Sequence, residues 1–200
     1  MPPRTPLVDP RGYFAGRSTA FPIGFVVFVC YLVVTLLSMY VVLRLEFAQI
    51  EGLDEATEDE LLEYLTRLWL STILVFVVAW FVVAGVMHRF SGGRGSFLDA
   101  LGVAGWAYAP ELLTQPIRFA VQFYLASQFS MDASDLTDVT VSSANHPAIT
   151  AVSIALFAAV TLWSVYILAK GTAAVRETTL RHTILPALLI GAGSAVLAFL

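Results

Sequence analysis

The sequence predicts an all-α integral membrane protein with five transmembrane helices, the N-terminus cytoplasmic, the C-terminus outside and the third span broken near Pro110. Three observations carry that expectation. Hydrophobic residues make up 58% of the chain and charged residues only 13%, with a mean hydropathy of +0.79, far beyond the roughly half-apolar composition of soluble domains. The apolar residues fall in blocks near the roughly 20 residues that a helix needs to cross the hydrocarbon core. The connecting loops also alternate in charge. Cytoplasmic loops are enriched in lysine and arginine near span ends; with five spans, Arg4, Arg11, Arg17, Arg89, Arg94, Lys170, Arg176 and Arg181 fall on one side. The other side takes eleven of the fifteen acids, and its only basic residues are Arg44 and Arg67 at the span edges.

Residues 1–20 contain prolines, glycines and three arginines and read as a cytoplasmic tail and interfacial segment. Tyr13 and Phe14 suit the headgroup level, where aromatic rings are favoured. The first span covers about 21–43, longer than a signal-peptide core and without a small-residue cleavage site after it. It holds Cys30, whose solitude excludes an intrachain disulfide.

Between Glu46 and Glu63 the composition inverts, with eight acids in one solvated loop. Thr57 followed by Glu60 fits a capping box, so the second helix should start outside the bilayer and span about 66–87. His88, Arg89 and the turn SGGRGS follow. That turn lacks the lysine and hydroxyl residue of a phosphate-binding P-loop. Gly92, Gly93, Arg94 and Gly95 nevertheless place exposed amides and a cation where a lipid phosphate could be held; the alternative is a plain flexible connection.

The segment after Phe97 admits two arrangements. Pro110 lacks an amide hydrogen and disfavours helical geometry at Ala109, so one kinked span is expected, or a short helix at the interface followed by a span over about 110–127. The second arrangement uses Pro110 as a favoured first helical residue and sets Glu111 beside the positive helix start. The next loop carries Asp132, Asp135 and Asp138, spaced three apart rather than two, which does not match an EF-hand. The fourth and fifth spans cover about 148–169 and 184–200, with Lys170, Arg176 and Arg181 between them. Gly191, Gly193 and Ser194 suit close helix packing. Residues 21–200 thus read as a single five-helix membrane domain.

Glu111, Gln115, Arg118 and Gln122 are spaced four, three and four apart. At about 100° per residue they form one polar stripe, with Tyr108 beside it and Pro110 and Pro116 as helix breaks. Such a face must meet other helices or a water-filled crevice. A direct Glu111–Arg118 pair is not expected, because their α carbons stand roughly 10 Å apart along the axis. Gln115, the carbonyls of Trp106 and Leu112, and Thr161, Ser164 and Tyr166 of the fourth span are the expected partners. The stripe reads either as a packing seam, as a lipid-headgroup or small-molecule pocket, or as a permeation path.

His88, His146 and His182 lie in different loops, and no metalloprotease, nucleophile-elbow or cysteine–histidine pattern occurs. No enzymatic activity, cofactor, metal or nucleic-acid partner is therefore expected.

The sequence VDPRGYF (Val8 to Phe14), the turn GGRGSFLDAL, the segment GWAYAP ending at Pro110 and the five-span layout resemble the Yip family, the Ypt/Rab-interacting membrane proteins, and within it the archaeal branch. The likeness runs from about Val8 to Leu200. The acidic outer loops and a sequence pI near 5.3 match the surface of a high-salt archaeon. In eukaryotes the family is associated with Rab-type GTPases, early secretory trafficking and membrane shaping. The resemblance implies a non-enzymatic membrane organiser, trafficking-type adaptor or lipid-interacting scaffold in the cell membrane. Its partners would be the bilayer, anionic headgroups on the inner face, and a second copy or another membrane protein. The alternative from the residues is a small transporter or channel using the stripe, although the other spans supply few ionisable groups and no clear inverted repeat.

Overall fold

The computed structural model describes residues 5–15, 20–51, 55–127, 131–132 and 147–198. Its helices are α1 (Pro10–Phe14), α2 (Ala20–Phe47), α3 (Glu55–Phe90), α4 (Phe97–Trp106), α5 (Ala109–Ser127), α6 (Pro147–Val175) and α7 (Leu180–Ala198). One two-residue pairing, Ile50–Glu51 with Met131–Asp132, joins the ends of α2 and α5 in parallel. Among the described residues three stretches are long and apolar enough to cross a membrane: Ala20–Phe47, Leu62–Phe90 and Ile149–Val175. The apolar stretch Leu180–Val196 is shorter. Arg4, Arg17, Asp54, His146 and most of the loop with Asp135 and Asp138 lie outside the described residues.

The bundle is built around α4. Its ten residues, FLDALGVAGW, span only about 15 Å, and every residue from Ala100 to Gly105 is buried. A helix apolar over most of its circumference has to be enclosed by neighbours, and α4 packs among α2, α3 and α6, with Leu98 exposed at its start. Ser96 caps it: the Ser96 hydroxyl accepts from the Asp99 amide at 3.1 Å, and the Asp99 carboxylate accepts from the Ser96 amide at 3.1 Å. Removing two orphan donors in this way fixes where so short a helix begins.

Small residues let α2 meet α4 backbone to backbone. A β carbon on Gly24 would stand 2.0 Å from the carbonyl oxygen of Gly102, and one on Gly105 would stand 2.2 Å from that of Gly24. A β carbon on Gly102 would meet the Ala20 carbonyl at 2.5–2.6 Å. These are the close crossings that glycine permits between apolar helices, where lipid supplies no hydrophobic drive and packing decides association. On the other side, α3 contributes Trp80, Ala84 and Met87 to the core around Leu101, Val103 and Ala104. Trp80 stacks on Phe28 of α2 at 4.4 Å and donates its indole N–H to the Leu101 carbonyl at 2.9 Å. From α6, Gly171 admits Val103 and Phe14 to within van der Waals contact.

Four element boundaries differ from the sequence reading. Residues 5–15 are a folded cap rather than a loose approach. Asp9 caps α1 by accepting from the Gly12 amide at 2.9 Å, Pro10 takes the first helical position, and Phe14 is buried. Trp163 and Tyr166 of α6 then donate to the carbonyls of Leu7 and Val8 at 2.8 and 2.9 Å. Helix α3 begins at Glu55, so Thr57 is already inside it and is not its cap. Helix α6 continues past Ala169 to Val175, because Lys170 finds a local partner: its ammonium lies 4.6 Å over the Tyr166 ring and 3.4 Å from the Tyr166 hydroxyl. Helix α7 begins at Leu180, which brings Arg181 into its first turn. Of the two glycines expected to pack on α7, Gly191 meets Val165, whereas Gly193 faces open space.

Substituting Gly102 by valine should destabilise the detergent-solubilised protein by more than about 3 kcal/mol, since backbone atoms of Ala20 cannot move aside as a side chain can. Gly85→Ala, where an added β carbon meets nothing within 4 Å, should leave the melting temperature unchanged or raise it. Equal melting curves for the two variants would contradict the crossing described.

Candidate functional site

Two polar centres lie in the bundle, one at the end where α3, α6 and α7 meet and one along α5. The first was only half visible in the sequence. Arg176, in the connection after α6, is 6% exposed. Its guanidinium is wrapped by the glycine turn: it donates to the carbonyls of Gly92, Gly95 and, at 3.2 Å, Gly93, and it meets His88 Nδ1 at 2.6 Å. In return the Arg94 amide donates to the Arg176 carbonyl at 3.0 Å.

The glycines are there for this embrace. Gly92 and Gly93 adopt φ of 64° and 83°, a region unfavourable for side-chain-bearing residues. A β carbon on Gly93 would stand 2.0 Å from the Arg176 carbonyl oxygen, and one on Gly95 would stand 2.2 Å from that of Val175. Gly92, Gly93 and Gly95 therefore point carbonyl oxygens at a buried cation, and what the turn holds in this structure is a guanidinium rather than an anion. The side chain of Arg94 is exposed beside it, as are Arg11, Arg89 and Arg181.

Along α5 the stripe is divided. Tyr108 lies in the turn between α4 and α5, stacked on Tyr31 at 4.9 Å and edge-on to Phe28 at 5.3 Å. Pro110 is fully buried and Gln115 is 7% exposed. Glu111 and Arg118 do pair, with Nη1 2.7 Å from Oε2, contrary to the expectation from their spacing. Side chains on a helix lean toward its start, and the longer stem of Arg118 lies back along α5 far enough to cover the gap that the short glutamate cannot. The approach does not have hydrogen-bond angles, so Oε2 receives charge compensation without a directed bond. The Arg118 and Glu111 side chains are 28% and 19% exposed.

Two cavities flank this pair. A cavity of about 110 Å³ is lined by Tyr108 and Glu111 together with Thr161, Ser164 and Ser194. A larger one of about 290 Å³, between α5 and α6, is lined by Arg118 and Gln122. Phe157 lines both. Of the cross-helix partners expected from α6, Ser164 donates to the Ala107 carbonyl at 2.7 Å and Thr161 faces the smaller cavity, but Tyr166 is spent on the N-terminal cap. Pro116 lies inside α5 without ending it.

Sequence reasoning missed the roles of Arg176 and of the aromatic pair Trp80–Phe28. Nothing local marks Arg176 among the arginines, because its partners come from more than 80 residues earlier. The Ser96–Asp99 cap, by contrast, carried a readable signal, a serine followed three residues later by an acid before an apolar run.

A model of the Yip1 domain matches residues 7–200. Among curated proteins, an uncharacterized protein of Methanocaldococcus jannaschii is 32% identical over 59 residues, 28% of this chain. The match spans 42% of that relative's own length. No solved structure matches.

Replacing Arg176 with methionine should cost more than about 3 kcal/mol, because hydrogen bonds to a charged group contribute roughly 1.5–3 kcal/mol each and several carbonyls would be left bare. Arg176→Lys should recover only part of the loss, since a point-like ammonium cannot reproduce the planar fork. Arg94→Gln, on the exposed side chain, should shift the melting temperature little. Thermal melts in one detergent check all three.

Proposed function

We propose, from the premise that this chain belongs to the Yip1 domain family, that it is a non-enzymatic membrane organiser that recruits partners through its basic end. In this reading the five spans are α2, α3, the broken unit α4–α5, α6 and α7, with the break at Ala107–Tyr108 and residues 5–15 on the cytoplasmic side. Supporting it, Arg89, Arg94, Arg176 and Arg181 gather where the glycine turn and the α6–α7 connection meet, Arg11 is exposed on α1, which packs along α6, and Glu46, Asp59, Glu60 and Glu63 flank the start of α3 at its other end. The observation that carries the reading is the Arg176 cradle. It uses a buried cation to fix two loops against each other and leaves Arg89, Arg94 and Arg181 exposed around them, which makes a pre-ordered basic surface. Such a surface steers acidic protein partners and anionic lipid alike.

A second reading has one observation in its favour: an intramembrane ion pair, Glu111–Arg118, bordered by two cavities. It makes the protein a small transporter with α5 along its path. Flux separates the two readings. Proteoliposomes should show no ion or solute movement that Glu111→Gln abolishes, and neutralising Arg11, Arg89 and Arg94 together should remove the proteins captured at the basic face in native cells without displacing the chain from the membrane. Flux lost specifically in Glu111→Gln would replace the first reading by the second.

Sidedness has its own test. With Cys30 replaced by alanine, a cysteine at Glu60 should react with a membrane-impermeant maleimide on intact cells, whereas one at Arg94 should react only after lysis. The opposite pattern would invert the proposed topology.

A further inference from the structure

Between the end of α3 and the start of α7 lies a groove of about 570 Å³, lined by Val86 and Phe90 on one wall and by Arg181, His182, Leu185 and Leu189 on the other. That volume falls within the roughly 300–1,000 Å³ of pockets that hold small ligands. Its polarity is sorted along one direction. The polar side chains, Arg181 and His182, sit together in the first turn of α7, and the next two turns offer only apolar surface. From Arg181 to Leu189 the helix rises about 12 Å, close to the roughly 15 Å thickness of one leaflet's hydrocarbon.

Charge points to the headgroup. Among the described residues no carboxylate lines the groove, and Arg89 and Arg94 add positive potential from the same end of the bundle. His182 Nδ1 is engaged by the hydroxyls of Thr178 and Thr179 at 3.3 and 3.2 Å, which fixes the ring at the mouth. Pro186, inside α7, has no amide hydrogen to give to the carbonyl of His182, so an acceptor is left beside the two side chains. The mouth therefore offers a guanidinium for a phosphate and a carbonyl for a headgroup hydroxyl or ammonium, above a slot lined by apolar side chains. Leu185 and Leu189 are each 63% exposed along that slot.

We propose that the α3–α7 groove is a binding site for one anionic phospholipid, its phosphate on Arg181 and one acyl chain along Leu185, Leu189, Val86 and Phe90. The site rests on the chain being embedded in a membrane but not on its recruiting partners, so the partner-capture experiment above can fail without touching it. The probes are dioctanoyl phosphatidylglycerol, dioctanoyl phosphatidylcholine and inorganic phosphate, titrated into the full chain in detergent with melting temperature as the readout. Phosphatidylglycerol should stabilise the protein saturably, at concentrations where the zwitterionic lipid and phosphate alone do little. Arg181→Gln should weaken that response about tenfold, as expected for one charge-assisted contact, and Arg181→Lys should largely restore it. Leu185→Trp and Leu189→Trp, at exposed positions, should each block the slot, and Arg67→Gln, on an exposed side chain near the start of α3 and away from the groove, should behave as wild type. Equal responses to the two lipids, full stabilisation by phosphate alone, or an unchanged phosphatidylglycerol response in Arg181→Gln and both tryptophan variants would overturn the proposal.

Discussion

The contact between the backbones of α2 and α4 is the constraint on which the bundle depends. A ten-residue helix cannot cross a bilayer, and its end carbonyls and amides need partners wherever water is absent. Burying it among α2, α3 and α6 answers both needs, but only if neighbours come close enough to exclude lipid, and Gly24, Gly102 and Gly105 set that distance. The Trp80 indole reaches the Leu101 carbonyl within the same packing. The turn at Ala107 and Tyr108 then re-aims the chain into α5, with Ser164 closing the Ala107 carbonyl. The placement of Glu111 and Arg118 therefore follows from a glycine crossing two turns away rather than from their own attraction.

The two ends of the bundle are fastened by different means. At the acidic end, Gln49 donates to the Ala126 carbonyl at 3.1 Å, and the backbone pairing of Ile50–Glu51 with Met131–Asp132 joins the same helix ends, so α2 is tied to α5 by uncharged bonds. At the basic end a guanidinium lies among neutral carbonyls. Arginine does not lose its proton in proteins, and carbonyl dipoles solvate its charge without cancelling it. The Arg176 charge thus adds to the potential of the exposed arginines above it, and the same residue that locks the loops also strengthens the field they present.

Much of this was legible. The apolar blocks and the alternation of loop charge depend only on composition, and the short motifs around Val8–Phe14, the glycine turn and Pro110 were enough to suggest the family. The burial of α4 was readable in principle, since FLDALGVAGW is apolar from Ala100 onward and its one charge, Asp99, belongs to the cap, but Pro110 drew attention to the break instead of to what preceded it. The Glu111–Arg118 pair was misjudged because axial rise was weighed and arginine reach was not. Arg176 was out of range altogether: a buried cation held by carbonyls from a distant turn leaves no periodicity, and its sequence neighbours look like any topology-setting basic loop.

The N-terminal cap has a consequence for the order of assembly. Residues 5–15 are made before α6, yet the side chains that hold Leu7 and Val8 belong to Trp163 and Tyr166, 156 and 158 residues later. Phe14 likewise needs Gly171 and Val103 beside it. During synthesis this segment must wait undocked until α6 has been made and has packed. Closing of the cap therefore reports that the long helices have come together, and a chain stalled before α6 leaves its first segment open to whatever monitors unfinished membrane proteins.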